Sequence, residues 1–169
     1  ETLDLSKFYD NWDPQDWRLK AHLPIEKNMT KTEKAGLQLT ENELRWLDAW
    51  NEFTLILKKK IGEDITHGFP LWVDEWVHID DLVIPRNTPV WKKNFLTKNA
   101  EFYTQHKKEI DRWLKKWGNL EDFPPSRRKF EWQAQDAKNL WSTVLHFRPS
   151  GIRAKKPTYV PALVAMTQT

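Results

Sequence analysis

A chain of 169 residues with 39% hydrophobic and 30% charged side chains is long enough to bury a real core, as one domain or as one domain with an appended lobe. It holds 0 Cys, which excludes disulfides and thiolate metal sites, and no apolar run approaches the roughly 20 residues of a membrane span. The net charge is only +3, but from Pro125 onward eight Lys and Arg stand against two acids, so that part carries +6 and the rest −3.

The opening residues ETLDLSKFYDNW do not have the pattern of a signal peptide, and no repeat at solenoid spacing is visible. The lack of disulfides fits a reducing cytoplasm. Residues 1–39 read as an irregular arm. Asn11, Asp13-Pro14 and Leu23-Pro24 mark turns, Trp12 and Trp17 pin the arm to the body, and Lys27 to Gly36 is a polar loop. Thr40 then starts a helix, with Thr40 and Glu43 forming the capping box T-x-x-E. Trp46, Trp50, Phe53, Leu57 and Ile61 recur at steps of three and four, with Leu47 and Ile56 beside them, until Gly62. Lys58, Lys59 and Lys60 close the helix, either complementing its dipole or meeting phosphate.

Residues 63–86 carry Glu63, Asp64, Asp74, Glu75, Asp80 and Asp81 against Arg86, with His67 and His78 among them. Their spacing matches no metal-ligand motif. Phe69, Leu71, Trp72, Trp76, Val77 and Ile79 are core candidates. Thr88-Pro89 supplies an N-cap and first position for a second helical region. There Trp91, Phe95, Phe102, His106, Ile110, Trp113 and Trp117 form a stripe, ended by Gly118-Asn119 and divided at Asn99. His106 on that stripe reads as a hydrogen-bonded core histidine. Lys92, Lys93, Lys98, Lys107, Lys108, Lys115 and Lys116 cover the outer face, diluted by Glu101, Glu109 and Asp111. The body thus spans residues 40–124.

Pro124-Pro125 links to a basic segment, residues 125–169. Ser126 caps a short predicted helix, SRRKFEWQAQ, in which Arg127, Arg128 and Lys129 crowd the N-terminus against the dipole. Such a conflict is tolerable where an anion binds. Trp132 either stacks on a base or joins the core. Farther on, Val144, His146 and Arg148 alternate with Leu145 and Phe147, the period of a half-buried strand. Pro149-Ser150-Gly151 turns the chain and Ile152 to Lys156 returns antiparallel. Pro157 ends that run, and PALVAMTQT reads as a strand buried on both faces. The expected fold is α+β, a helical Trp-rich body with a small C-terminal antiparallel β-sheet or hairpin. Its basic surface is either a phosphate- and base-contacting site or a solvated face.

The run RPSGIRAKKPTYVPALVAMTQT resembles the segment before the ninth motif of bacterial and phage cytosine-5 DNA methyltransferases, where it closes the target recognition region. The likeness extends upstream through SRRKFEWQAQDAKNLW, GFPLWVDEW, ELRWLDAWNEF and FYDNWDPQDW, and so covers most of the chain. The family's Thr-Leu pair is matched here by Ala162-Leu163, a departure at the position nearest the flipped base. The resemblance implies sequence-specific binding of double-stranded DNA, S-adenosylmethionine as cofactor of the parent enzyme, and a restriction-modification setting. It also implies a catalytic methyltransferase lobe, in cis or as a separate subunit, and a location in the bacterial or phage-infected cytoplasm at the nucleoid. The family's Pro-Cys nucleophile, Glu-Asn-Val motif and Gly-rich cofactor loop are not found, so the chain reads as a fragment that is inactive alone, with no catalytic, cofactor or metal residues of its own. The candidate DNA contacts are Arg127, Arg128, Lys129, Arg148, Ser150, Arg153, Lys155, Lys156, Thr158 and Tyr159. The hairpin with Arg148, Ser150 and Arg153 is placed for groove contacts, its arginines suited to guanine, and the others hold the backbone. The rival expectations are a helical protein-interaction module with a basic partner-binding tail and a metal-dependent nuclease using Asp80-Asp81 with Glu131 and Gln133.

Overall fold

The computed structural model describes residues 29–62, 69–134 and 136–157. The arm before residue 29, His67, Thr158, Tyr159 and the strand expected from Pro161 lie outside them.

The segment expected as a polar loop contains a short helix, α1 (Lys31–Gly36). It opens with the same capping box as its successor. The Thr30 amide donates to the Glu33 carboxylate at 2.7 Å, and the Glu33 amide donates to Thr30 Oγ1 at 3.3 Å. Helix α2 (Glu41–Ile61) starts at Thr40 with the predicted box and ends at Gly62, whose φ of 86° suits a residue without a Cβ. Its stripe is buried through Leu47, Trp50, Phe53 and Leu57.

Helix α3 (Val90–Lys116) departs from expectation twice. Its N-cap is Pro89, with no capping side chain, so Thr88 does not play that part. Its backbone leaves helical geometry at His106 (φ −117°, ψ 17°), not at Asn99. Asn99 stays helical because its side chain is fully employed. Its amide donates to the carbonyls of Phe95 and Pro70, and its Oδ1 accepts from the Trp72 backbone N–H and the Trp76 indole N–H. His106 is buried against Phe102, but its Nδ1 has no hydrogen-bond partner.

The acidic stretch between the helices folds into a two-residue strand, β1 (Leu71–Trp72), and 3₁₀ turns at Val73–Glu75 and Ile79–Asp81. Leu71 and Trp76 enter the core as expected, whereas Val77 is exposed.

The expected helix after Pro125 is instead a 3₁₀ turn, Pro125–Arg127, followed by strand β2 (Lys129–Gln133). Phe130 and Trp132 point inward and Lys129, Glu131 and Gln133 outward, a period of two rather than 3.6. The predicted hairpin is present, with β3 (Val144–Arg148) and β4 (Gly151–Lys155) antiparallel and Arg148 opposite Gly151. The sheet is nevertheless mixed, not antiparallel throughout. Its order is β1-β2-β4-β3, and β4 lies parallel to β2. A strand from the body's sequence thus pairs with the basic segment, Leu71 opposite Phe130.

Aromatic packing joins sheet to helices. The Trp50 ring lies 4.7 Å from that of Phe130, nearly parallel, and 5.3 Å from that of Trp113. Trp50 donates its indole N–H to the Arg127 carbonyl at 2.8 Å, and Trp113 donates to the Ala49 carbonyl at 2.9 Å. Burying these rings leaves neither indole donor unpaired, which removes the usual penalty for a buried polar group. Trp132 is also core, which settles its two readings against base stacking.

Candidate nucleic-acid interface

Strand alternation places charge on the side of the sheet facing away from Trp50. The register sets Glu131, Arg153 and His146 side by side across β2, β4 and β3. A second row is Lys129, Gly151 and Arg148, and a third Gln133, Lys155 and Val144. Among the described residues, Lys129, Arg148, Arg153 and Lys155 therefore share one face with a single carboxylate, Glu131. The positive field acts on His146. Burial, and then Lys155, Arg148 and Arg153, hold its pKa below the ordinary imidazole value.

Gly151 lets the strands approach. Its φ is 130°, and a Cβ there would stand 2.8 Å from Lys129 Cβ and 2.9 Å from the Lys129 carbonyl oxygen. The Pro149-Ser150 turn projects from this end.

The sequence candidates separate into groups. Arg127 is a clasp. Its guanidinium lies 4.7 Å from the Phe147 ring and 5.4 Å from the Trp46 ring, and it donates to the Arg148 carbonyl at 3.1 Å. Arg128 pairs with Asp74 at 2.9 Å. Arg153 grips Glu131 through both Nε, at 2.7 Å, and a terminal nitrogen, at 2.6 Å. Lys156 pairs with Asp136. Arg148 and Lys129 meet no carboxylate among the described residues, and Ser150 is exposed at the turn. The helix-start argument for Arg127, Arg128 and Lys129 falls with the helix. In the α2 triplet, Lys58 donates to the Ala137 carbonyl and Lys60 pairs with Glu109 at 2.5 Å.

Three aromatic residues that the sequence pattern assigns to core positions form a groove beside the turn. Trp72, Trp91 and Phe95, with Pro70, Lys129 and Ser150, line a space of about 430 Å³. Trp91 is 69% exposed. One signal was legible: Trp91 is the second residue of a helix opened by Pro89, before the body covers its stripe.

No three His, Asp or Glu side chains converge as a metal-ligand set among the described residues. Glu131, needed by the nuclease reading, is instead bonded to Arg153 and Gln133. Among the same residues no helix is long and apolar enough to cross a membrane.

A cationic sheet face flanked by a turn and an aromatic groove has the chemistry of a surface for a polyanion carrying planar rings. The chain is similar to the type II methyltransferase M.AluI of Cellulosimicrobium cellulans, with 36% identity over 195 aligned positions that take in 90% of this chain. The chain spans 37% of that relative's length. No family model matches the chain, and no solved structure matches it.

Proposed function

We propose that this chain is the DNA-recognition part of a DNA methyltransferase, of the cytosine-5 type, and that it binds double-stranded DNA through the outer face of its sheet and the Pro149-Ser150 turn. The observation that carries the reading is the charge of that face, four cations around one carboxylate, in a chain similar over 90% of its length to a methyltransferase. Duplex DNA is a dense array of phosphates, and Lys129 and Lys155 supply the sequence-independent hold. Arg153 is held by Glu131 in one orientation, which suits a side chain that reads a base edge. Its exposed edge and that of Arg148 offer guanine two donors each. Arg128 and Lys156 sit in partly exposed ion pairs, each worth no more than about 1 kcal/mol, so a phosphate can displace the carboxylate.

Methyl transfer belongs to a catalytic lobe that supplies the cysteine nucleophile and S-adenosylmethionine, in a bacterial or phage-infected cytoplasm. This chain, with 0 Cys, positions the duplex for it.

Fluorescence anisotropy with labelled duplexes at two salt concentrations tests the reading. The expected result is binding whose logarithm falls linearly with the logarithm of salt. Lys129→Ala should lower affinity equally for all sequences and reduce the salt slope by about one. Arg148→Ala should cost about 1–3 kcal/mol on the preferred site and less elsewhere. A chain that ignores duplex DNA at low salt, or binds it unchanged with both residues replaced, sinks the proposal.

A further inference from the structure

The groove lined by Trp72, Trp91 and Phe95 is not required for gripping a paired duplex. We infer that it is a stacking site for one unpaired nucleobase of the bound DNA, with Lys129 holding the phosphate beside that base. The inference rests on the duplex-binding reading of the adjoining sheet face.

Several observations meet here. The space of about 430 Å³ lies within the roughly 300–1,000 Å³ of small-ligand sites, and a single base fits it with room to spare. Its inner wall is rigid. Trp72 and Phe95 meet edge to face with centroids 5.1 Å apart, and the Trp72 backbone N–H is fixed to Asn99 Oδ1 at 2.9 Å. Trp91, an indole largely in water, lines the same space with Pro70, Trp72 and Phe95. A ring with an unoccupied face beside a second aromatic wall accepts a flat heterocycle by stacking, whichever base it is.

The polar rim selects the ligand's class. Lys129 Nζ sits 3.8 Å from the Trp72 ring centre, held by attraction to the ring and by no carboxylate among the described residues. Ser150 adds a hydroxyl to the lining. No acid among the described residues lines the groove. A cation and a hydroxyl over aromatic walls match a base with its phosphate better than an apolar peptide, which would leave both rim groups without partners. Lys129 also belongs to the outer sheet row with Gly151 and Arg148. A strand backbone crossing that row therefore passes the groove mouth, and a nucleotide leaving the stack there has somewhere to go. Unstacking is easiest for a base with no partner.

The test uses the full 169-residue chain and three labelled duplexes. One is fully paired, one carries a single extra nucleotide on one strand, and one carries an abasic residue at that place. The extra base should raise affinity about tenfold over the other two, the usual worth of one base–aromatic stack. Trp91→Ala should abolish that gain and leave paired-duplex affinity unchanged. Trp141→Ala, at an exposed indole elsewhere, should change neither. Normal paired-duplex binding with no gain from the extra base overturns the groove alone. So does an equal gain from the abasic duplex, which would mean that the bend and not the base is recognised. A gain that survives Trp91→Ala gives the groove to another occupant, such as a protein surface. Loss of binding to all three duplexes overturns the recognition reading and this inference together.

Discussion

The two sides of the four-stranded sheet are made from alternate residues of the same strands, yet they obey different physics. On the inner side Phe130, Trp132, Ile152 and Ala154 are at most 1% exposed, and Phe130 stacks on Trp50 of α2. On the outer side Lys129, Glu131, Arg153 and His146 are half-buried and charged or titratable. The inner side is held by contact area and shape, which tolerate little change. The outer side is held by charges whose mutual energies are small in water and become large only when a polyanion displaces the solvent. Stability should therefore reside on the first side and binding on the second.

Trp50→Ala strikes the inner side hardest. It removes a fully buried indole stacked on Phe130 and leaves the Arg127 carbonyl without its donor, so a loss of about 3–5 kcal/mol is expected in urea unfolding. Gly151→Ala tests the seam between the sides. The added methyl meets the Lys129 backbone at 2.9 Å in a conformation that L residues rarely adopt, and about 2 kcal/mol or more should be lost. A neutral Gly151→Ala variant would mean that β2 and β4 do not approach as closely as described. On the outer side, Glu131→Gln should cost less stability than either substitution above while altering duplex preference, because it releases Arg153. A large stability loss with unchanged preference would make that pair a structural strut instead.

The same contrast explains what the sequence revealed. Helix α2 was legible at both ends because the Thr40–Glu43 box, the Trp50–Phe53–Leu57 stripe and Gly62 are local signals that agree. The hairpin was legible from Val144 to Lys155 for the same reason. Strand β2 was not. Five residues give only two inward positions, Phe130 and Trp132, and Ala134 falls four after Phe130, as on a helix. Its pairing with Leu71 and Ile152 is a tertiary fact that overrides the local Ser126 start signal. The basic face was visible as composition, but its partition was not. Arg128–Asp74 and Arg153–Glu131 join residues more than twenty positions apart, so only the fold could show which cations already have partners. Trp91 lies on the stripe yet is exposed, because helical spacing reports a common face and not how far along the helix the body reaches.

The smallest expected effect is a pH dependence that runs in opposite directions for stability and for binding. His106 is held below its ordinary pKa by burial and then by Lys60, with Glu109 opposing. His146 is held below it by burial and then by Lys155, Arg148 and Arg153. A depressed histidine pKa means that the unfolded chain binds more protons than the folded one. Stability should therefore fall as pH drops below about 6.5, through the interval between the unfolded and folded values. Duplex binding should do the reverse. Phosphates laid over the outer face offset the three cations around His146 and raise its pKa, so binding takes up a proton and tightens as pH falls through the same range. His106→Gln should flatten only the stability profile, measured by urea unfolding between pH 5.5 and 7.5. His146→Gln should flatten the affinity profile as well, measured by anisotropy at fixed salt. If affinity weakens on acidification in the parent chain while it remains folded, the phosphates do not lie over β3 and β4, and the interface must be sought on another face of the molecule.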